Sequence, residues 1–177
     1  MVEKKQCVIH IKNQDDLCCA RAIVTMRKWC NRNEAGNRWS SLRRARPQLG
    51  FLAMELHREA GVPEGTCGYA ELEKFQAFLG PQGYQLIVVE VSRCIILFKD
   101  PKYNEAPNVI QLVKNQKNYD GLTSIPALMN RSYFCCHCER AYDSEEARRH
   151  NCIGQNCSAC GRTRKGTEPG CLTMQRC

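Results

Sequence analysis

The chain has 177 residues, of which 43% are hydrophobic and 25% charged, as is typical of one compact domain with a small appendage. This composition excludes wholesale disorder. The apolar runs at 86–91 and 94–98 are too short to cross a bilayer, and the first residues lack the apolar core of a signal peptide. We therefore expect a soluble intracellular protein of the nucleus or cytoplasm. Its net charge of +8 favours acidic partners such as nucleic acid.

Hydrophobic periodicity predicts the first two elements. Residues 7–12 alternate as a short strand, and residues 17–30 have a helical period. One face of this helix carries Cys19, Ala22, Ile23, Met26 and Cys30. Asp15 or Asp16 is well placed as its N-cap, because a short acidic side chain accepts hydrogen bonds from the first free amides.

An arginine-rich connection follows at residues 31–46 and ends at Pro47. Its polarity predicts a solvated loop. Residues 51–60 then predict a second amphipathic helix, which Gly61 and Pro63 terminate. Residues 69–79 predict a third helix, which ends before a Gly-Pro pair.

After residue 83 the period changes from helical to strand-like. Residues 84–91, 94–99 and 109–113 are rich in β-branched and apolar side chains and are bounded by turns, so each predicts a strand. A strand, then helices, then several strands indicates an α+β layer sandwich with antiparallel strands over 1–131. The composition shifts at residue 132, which predicts a separate cysteine-rich module over 132–177.

This module contains eight of the fourteen cysteines, and in a reducing compartment such a cluster indicates metal ligation. The predicted ligands are Cys135, Cys138, His150 and Cys152 for a first zinc site, and Cys157, Cys160, Cys171 and Cys177 for a second. A two-residue gap lets both thiolates of a turn reach one ion, and four N/S ligands suit a closed structural site. His137 could replace His150, and a frayed tail with surplus cysteines is the alternative. Because the module has few large apolar side chains, zinc would supply most of its folding free energy.

A second candidate site lies at the start of the first helix. Cys18 follows an acidic turn and falls in the first helical turn, where free amides stabilise a thiolate and line an oxyanion hole. These are the requirements of a cysteine nucleophile. The alternative is that Cys18 is a small buried apolar residue beside Cys19.

The stretch from Asp15 to Ile23 resembles the Asp-Gly-Asn-Cys-Leu-Phe-Arg-Ala signature of OTU-type cysteine proteases. The matching positions are Asp15, Cys18, Arg21 and Ala22. The resemblance implies an OTU-like, papain-like fold and catalytic positions at Asp15, Cys18 and residue 118. Asn118 stands where that family has its histidine, and a neutral amide cannot carry the thiol proton. His10 and His57 occupy other positions, so we expect an OTU-like scaffold with impaired peptidase activity.

A wider stretch of the chain is similar to the region ahead of the catalytic core in protein-primed type B DNA polymerases of Maverick/Polinton transposons. The similar segments are 16–23, 55–63, 67–68 with 75–76, 118–120 and 133–138. The resemblance implies a role in replicating a mobile element. The chain has no exonuclease Asp-x-Glu motif and no palm Tyr-x-Asp-Thr-Asp-like motif, so it cannot place the two metal-bound carboxylates of nucleotidyl transfer. We therefore expect an accessory N-terminal region of such a polymerase, a split accessory protein or a decayed genomic remnant.

Three functions follow from these observations. The first is a non-catalytic module that docks downstream polymerase domains, replication proteins or DNA, with phosphate contacts from Arg38, Trp39, Arg43, Arg44 and Arg46. The alternative is that these arginines lie in a solvated loop that binds no partner. The second is a working thiol peptidase that acts on a ubiquitin-like protein or a polyprotein, with a base from His10, His57 or another chain. The third is a purely structural zinc protein that joins the first domain to a polymerase.

Overall fold

The computed structural model describes residues 5–13, 15–34, 46–93, 95–135 and 139–150. The strands are β1 (Val8–Ile9), β2 (Tyr84–Glu90), β3 (Ile95–Lys99), β4 (Asn108–Asn115), β5 (Asn118–Leu122), β6 (Tyr133–Cys135) and β7 (Arg140–Tyr142). The helices are α1 (Cys18–Cys30), α2 (Arg46–Glu59), α3 (Tyr69–Leu79), α4 (Ile125–Leu128) and α5 (Ser144–Arg149). The prediction of an α+β class is confirmed, since helices and a five-stranded sheet share the described chain.

The main sheet has the strand order β1-β5-β4-β2-β3. The prediction of antiparallel strands is wrong for one pair, because β2 and β4 run parallel over seven residue pairs from Tyr84↔Asn108 to Glu90↔Lys114. β3 forms a hairpin with β2, and the chain then crosses to the other side of β2 to add β4. β4 and β5 form a second hairpin, and the short β1 pairs with β5 as an edge strand.

Alternation along β2 separates two apolar cores on opposite faces of the sheet. Leu86 and Val88 face a first core, whereas Ile87 and Val89 face a second one. α1 and α3 cover the first core, where Ile23 and Phe75 have no exposed surface. α1 packs against β4, β5 and α2, so the start of α1 is seated beside the β4–β5 hairpin.

The second core joins the predicted cysteine-rich module to the sheet. Phe134, on β6, is buried in the same cluster as Ile87, Val89 and Leu122. α4 lies between the sheet and this module, and Leu128 packs in the same core. The first strand of the module is therefore anchored by ordinary apolar burial, in addition to any metal.

Two local predictions differ from the structure. α2 begins at Arg46 and includes Pro47 in its first turn. Proline is tolerated there because the backbone N–H groups of a first turn have no acceptor within the helix. The N-cap of α1 is Leu17, with no side-chain cap, because Asp15 is engaged by Arg21. None of the described helices has the length and apolarity needed to cross a membrane.

Candidate functional site

The acidic turn before α1 is held by an ion pair. Asp15 Oδ2 lies 2.5 Å from Arg21 Nη2, and Asp15 Oδ1 accepts the amide hydrogen of Leu17 at 3.1 Å. The Arg21 hydrogen bond holds the pKa of the Asp15 carboxyl below its usual value. The guanidinium also packs on Gly50 of α2, where an added Cβ would lie 2.8 Å from Nη2. Asp15, predicted as a catalytic position, therefore anchors the turn to α1 and, through Arg21, to α2.

Cys18 is the first residue of α1, as predicted, but its thiol is not activated. The side chain is buried, and Sγ lies 3.8 Å from the carbonyl oxygen of Lys117. Burial raises the pKa of the Cys18 thiol, and the backbone hydrogen bond from Tyr119 only partly opposes this. A helix N-terminus favours a thiolate, but here desolvation has the larger effect. The group is a protonated thiol at neutral pH.

The side chain of Asn118 lies on the other face of the sheet from this thiol. Asp120 pairs with Val113, which belongs to the second core, and side chains two residues apart share a face. Asn118 is exposed on that same face. The side chain that β5 directs toward α1 is Tyr119, which is buried in the first core. The structure thus brings the backbone at 117–119 to Cys18, and points the side chain of residue 118 away.

The two described histidines of the first domain have partners other than Cys18. His10 Nδ1 lies 3.1 Å from Asp120 Oδ2, while Asp120 Oδ1 accepts the Ile11 amide hydrogen at 2.7 Å. His57 is buried, with Nδ1 3.2 Å from the Val62 carbonyl oxygen and its ring edge-on to Phe75. Within the part of the chain that the structure describes, no imidazole is hydrogen-bonded to Cys18.

Sequence reasoning missed a thiol cluster next to Cys18. Cys19 has almost no exposed surface, and burial, together with the neighbouring Cys67 thiol of the α2–α3 loop, raises the pKa of its thiol. The Tyr119 hydroxyl donates to the Cys67 carbonyl oxygen at 2.9 Å. Burial and the neighbouring thiols raise the pKa of the Tyr119 hydroxyl. No sequence pattern relates Cys19 to Cys67, so the packing of Cys67 against this core could not be predicted from the sequence.

A cleft of about 470 Å³ lies elsewhere, between α1 and α2. Basic Arg27 and Lys28 line the α1 wall, and acidic Glu55 and Glu59 line the α2 wall. None of the cysteines of the thiol cluster contributes to it. Cys18, Cys19 and Tyr119 instead lie buried in the first core.

The predicted zinc region has a ββα order. Cys135 ends β6 and is buried, and the amide of Glu139 donates to its carbonyl oxygen at 2.8 Å, which closes the turn before β7. His150 follows α5 as its C-cap, with its ring centroid 4.2 Å from that of Tyr142. A thiol and an imidazole are donors that zinc prefers, so these two residues fit the ion. Among the described residues no group of three metal-ligating side chains is present.

Most of the remaining predicted site residues lie outside the described residues. They are Cys138, Cys152, Cys157, Cys160, Cys171 and Cys177 of the zinc sites, and Arg38, Trp39, Arg43 and Arg44 of the phosphate-binding segment. Arg46 begins α2, and its side chain is likewise outside them. Comparison with protein-family models, with curated proteins and with solved structures finds no match to this chain.

Proposed function

We propose that this chain is a non-catalytic docking module of a protein-primed DNA replication system, built on an OTU-like scaffold. The observation that carries the proposal is that Cys18 faces the backbone of the β4–β5 hairpin and has no hydrogen-bonded imidazole among the described residues. A thiol peptidase needs a base that takes the thiol proton and returns it to the leaving amine. An OTU-like scaffold without such a base retains a rigid surface for binding but cannot cleave peptide bonds.

The raised pKa of Cys18 supports the same assignment. A working cysteine nucleophile has a lowered pKa, so that the thiolate is present near neutral pH. Here the thiol packs in the first core with Ala22 and Tyr119, and burial raises its pKa. Its role is to seat the start of α1 against β5.

The zinc site belongs to the proposal as a structural element. Cys135 and His150 are two of its ligands in the described part, and Cys138 and Cys152 complete the set by their spacing. When bound, zinc would cross-link the β6–β7 turn to the end of α5 with four N/S donors. The second set, Cys157, Cys160, Cys171 and Cys177, would extend the module. Through Phe134 this zinc-held unit is continuous with the second core.

The surface charge of the ββα unit favours a protein partner for this unit. Its helix, α5, has Glu145 and Glu146 in the first turn, the end that DNA-reading ββα fingers insert into the major groove. Two carboxylates there would repel phosphates. Arg131, just before β6, forms ion pairs with Asp143 and Glu146, so its positive charge is already paired within the unit. We therefore assign phosphate contacts to the arginine-rich segment. We assign to the ββα unit the binding of a protein partner, either downstream polymerase domains or replication proteins.

Reaction with an electrophilic ubiquitin probe tests the absence of catalysis. The full chain should form no covalent adduct, and Cys18→Ser should behave identically. An adduct that is lost in Cys18→Ser would overturn the non-catalytic assignment. In parallel, binding to a random-sequence DNA duplex should weaken steeply between 50 and 200 mM salt, since phosphate contacts release counterions. A flat response to salt would reject the phosphate contacts.

The second candidate function is an active cysteine peptidase, and one observation favours it. Asp120 orients the His10 ring through Nδ1, as the acid of a catalytic triad does, and leaves Nε2 available. His10 pairs with Asp120 on the side of the sheet opposite α1, which argues against proton transfer to Cys18. Loss of a probe adduct in both His10→Ala and Cys18→Ser would establish this candidate.

A further inference from the structure

β1 forms one edge of the main sheet, and within the described chain only one of its two sides is paired with another strand. Ile9 lies opposite Gly121 of β5, and the Thr123 amide donates to the Cys7 carbonyl oxygen at 2.8 Å. In an antiparallel pair, residues that exchange backbone hydrogen bonds alternate with residues whose backbone groups point to the opposite side. Cys7 and Ile9 therefore bond to β5, and the residues that alternate with them direct their backbone groups away from the sheet.

His10 has no backbone hydrogen bond to another described residue. It follows Ile9 in the alternation, so its N–H and C=O point away from β5, as does the C=O of Val8. The amide of Ile11, one residue further, donates to Asp120 Oδ1 on β5 at 2.7 Å, which agrees with this alternation. The His10 side chain is held in place, since Nδ1 lies 3.1 Å from Asp120 Oδ2. The edge thus presents one donor and two acceptors to a further strand.

A groove of about 390 Å³ follows this edge. It is lined by residues 8–12, by Thr25 of α1 and by Leu49 of α2. Ile9 and Ile11 form its apolar wall, because both pack with the first core. The groove therefore combines backbone groups that can bind a strand with apolar surface that can bind its side chains.

The two faces of the edge differ in chemistry. Ile9 and Ile11 face the first core, whereas the alternation places His10 and Lys12 on the other face. Lys12 is exposed and forms no ion pair with a described residue. An added strand would direct alternate side chains to each face. Apolar side chains fit the first face, and acidic ones fit the second, in keeping with the net charge of +8.

We propose that the β1 edge binds an extended segment of a partner protein in which apolar and acidic residues alternate. The segment extends the five-stranded sheet by one strand. Its backbone accepts the His10 amide hydrogen and donates to the carbonyl oxygens of Val8 and His10. Its apolar side chains enter the groove beside Leu49, and its carboxylates lie near Lys12. None of these residues belongs to the ββα unit or to the arginine-rich segment, so this surface is additional to those of the proposed docking function.

Binding of a synthetic peptide to the full zinc-loaded chain tests the proposal. The probe is a fluorescein-labelled peptide of sequence Glu-Val-Glu-Val-Glu-Val-Glu, and fluorescence anisotropy should show saturable binding. At a peptide concentration ten times the Kd, hydrogen exchange of the His10 amide should slow about tenfold. The same peptide with every backbone nitrogen methylated keeps its side chains but loses its donors, and it should not bind.

Matched variants at one position separate the backbone contribution from that of the side chain. His10→Ala removes the imidazole but keeps the N–H, and should retain peptide binding. His10→Pro also removes the N–H, and should abolish binding. Proline is tolerated on an edge strand where the N–H points away from the sheet, and protected amides of β2 and β4 would show that this variant is folded. Lys12→Glu, at an exposed position, should weaken binding about fivefold, as expected for one surface ion pair.

Several results would overturn the proposal. They are absence of peptide binding, equal binding of the methylated peptide, binding that persists in His10→Pro, and protection of the Leu97 amide on the opposite edge strand in place of the His10 amide. A chain that dimerises with its His10 amide already protected before peptide is added would assign the edge to a second copy instead. Each result is independent of the ubiquitin-probe and DNA-binding tests, so failure of this surface is distinguishable from failure of the proposed function.

Discussion

Cys18 Sγ and the Lys117 carbonyl oxygen, separated by 99 residues in the chain, lie 3.8 Å apart. This contact places the start of α1 against the turn between β4 and β5. The thiol there meets a carbonyl oxygen and a backbone amide, neither of which can exchange a proton with it. The arrangement of a helix-start thiol beside a strand hairpin is therefore present, and among the described residues no imidazole is hydrogen-bonded to that thiol.

Replacing Asn118 by histidine should not create a peptidase. Residue 118 is exposed on the sheet face opposite α1, so its imidazole would not reach Cys18. We expect Asn118→His to form no adduct with an electrophilic ubiquitin probe, and to leave the slow alkylation of Cys18 by iodoacetamide at pH 7 unchanged. A gain of adduct that Cys18→Ser removes would contradict an orientation of β5 in which residue 118 points away from Cys18.

Asp15→Asn should destabilise the protein at neutral pH and have a smaller effect in acid. The Arg21 contact lowers the pKa of Asp15 in the folded state, so its contribution is present above the unfolded value of about 3.9 and is lost as pH falls through the folded value. Because the Asp15 side chain is 40% exposed, we expect a loss of about 1 kcal/mol at pH 7. Urea unfolding at pH 7 and pH 3 measures the difference.

The control for this variant is Asp16→Asn, at the exposed neighbouring position. It should change the free energy of unfolding by less than about 0.5 kcal/mol at either pH, as surface substitutions usually do. Equal effects of the two variants would show that the Asp15–Arg21 pair does not hold the turn.

Asp120→Ala should loosen the β1 edge of the sheet. The carboxylate accepts the Ile11 amide hydrogen at 2.7 Å and contacts His10, so its removal leaves a partly buried donor without an acceptor, at a cost of about 1–2 kcal/mol. Amide hydrogen exchange at Ile11 should accelerate. His10→Ala, which keeps the carboxylate, should leave that amide protected. Equal acceleration in both variants would assign the effect to the imidazole.

Removal of zinc should unfold the ββα unit while the sheet persists. Cys135→Ser is expected to lower the metal content measured by mass spectrometry by one zinc per chain, because that thiol is a ligand of the first proposed site. Amides of 139–150 should then exchange rapidly, whereas those of β2 and β4, in the middle of the sheet, should stay protected. Cys30→Ser serves as the control and should retain full zinc content. An unchanged zinc content in Cys135→Ser would remove this residue from the site.

Several elements could be predicted because their apolar side chains recur with a helical or strand period over a short stretch of chain. The helical period of 17–30 matches α1 at Cys18–Cys30, and the prediction for 69–79 matches α3. The apolar runs at 84–91 and 94–99 match β2 and β3 within a residue at each end. β5 was not predicted as a strand, because its Asn, Asp and Gly are poor strand formers. Its Gly121 is required by close packing, since a Cβ there would lie 2.7 Å from Met26 Sδ.

The sequence by itself determined the order of helices and strands from β1 to β4, the placement of Cys18 at a helix start and the spacing of the candidate zinc ligands, because each depends on residues near one another in the chain. The tertiary structure decided that β2 and β4 run parallel, that Tyr119 and not Asn118 faces α1, and that Cys67 packs against the core that contains Cys19. It also decided the protonation of Cys18. That thiol is desolvated by residues about a hundred positions away, and its pKa depends on this burial more than on the helix that begins with it.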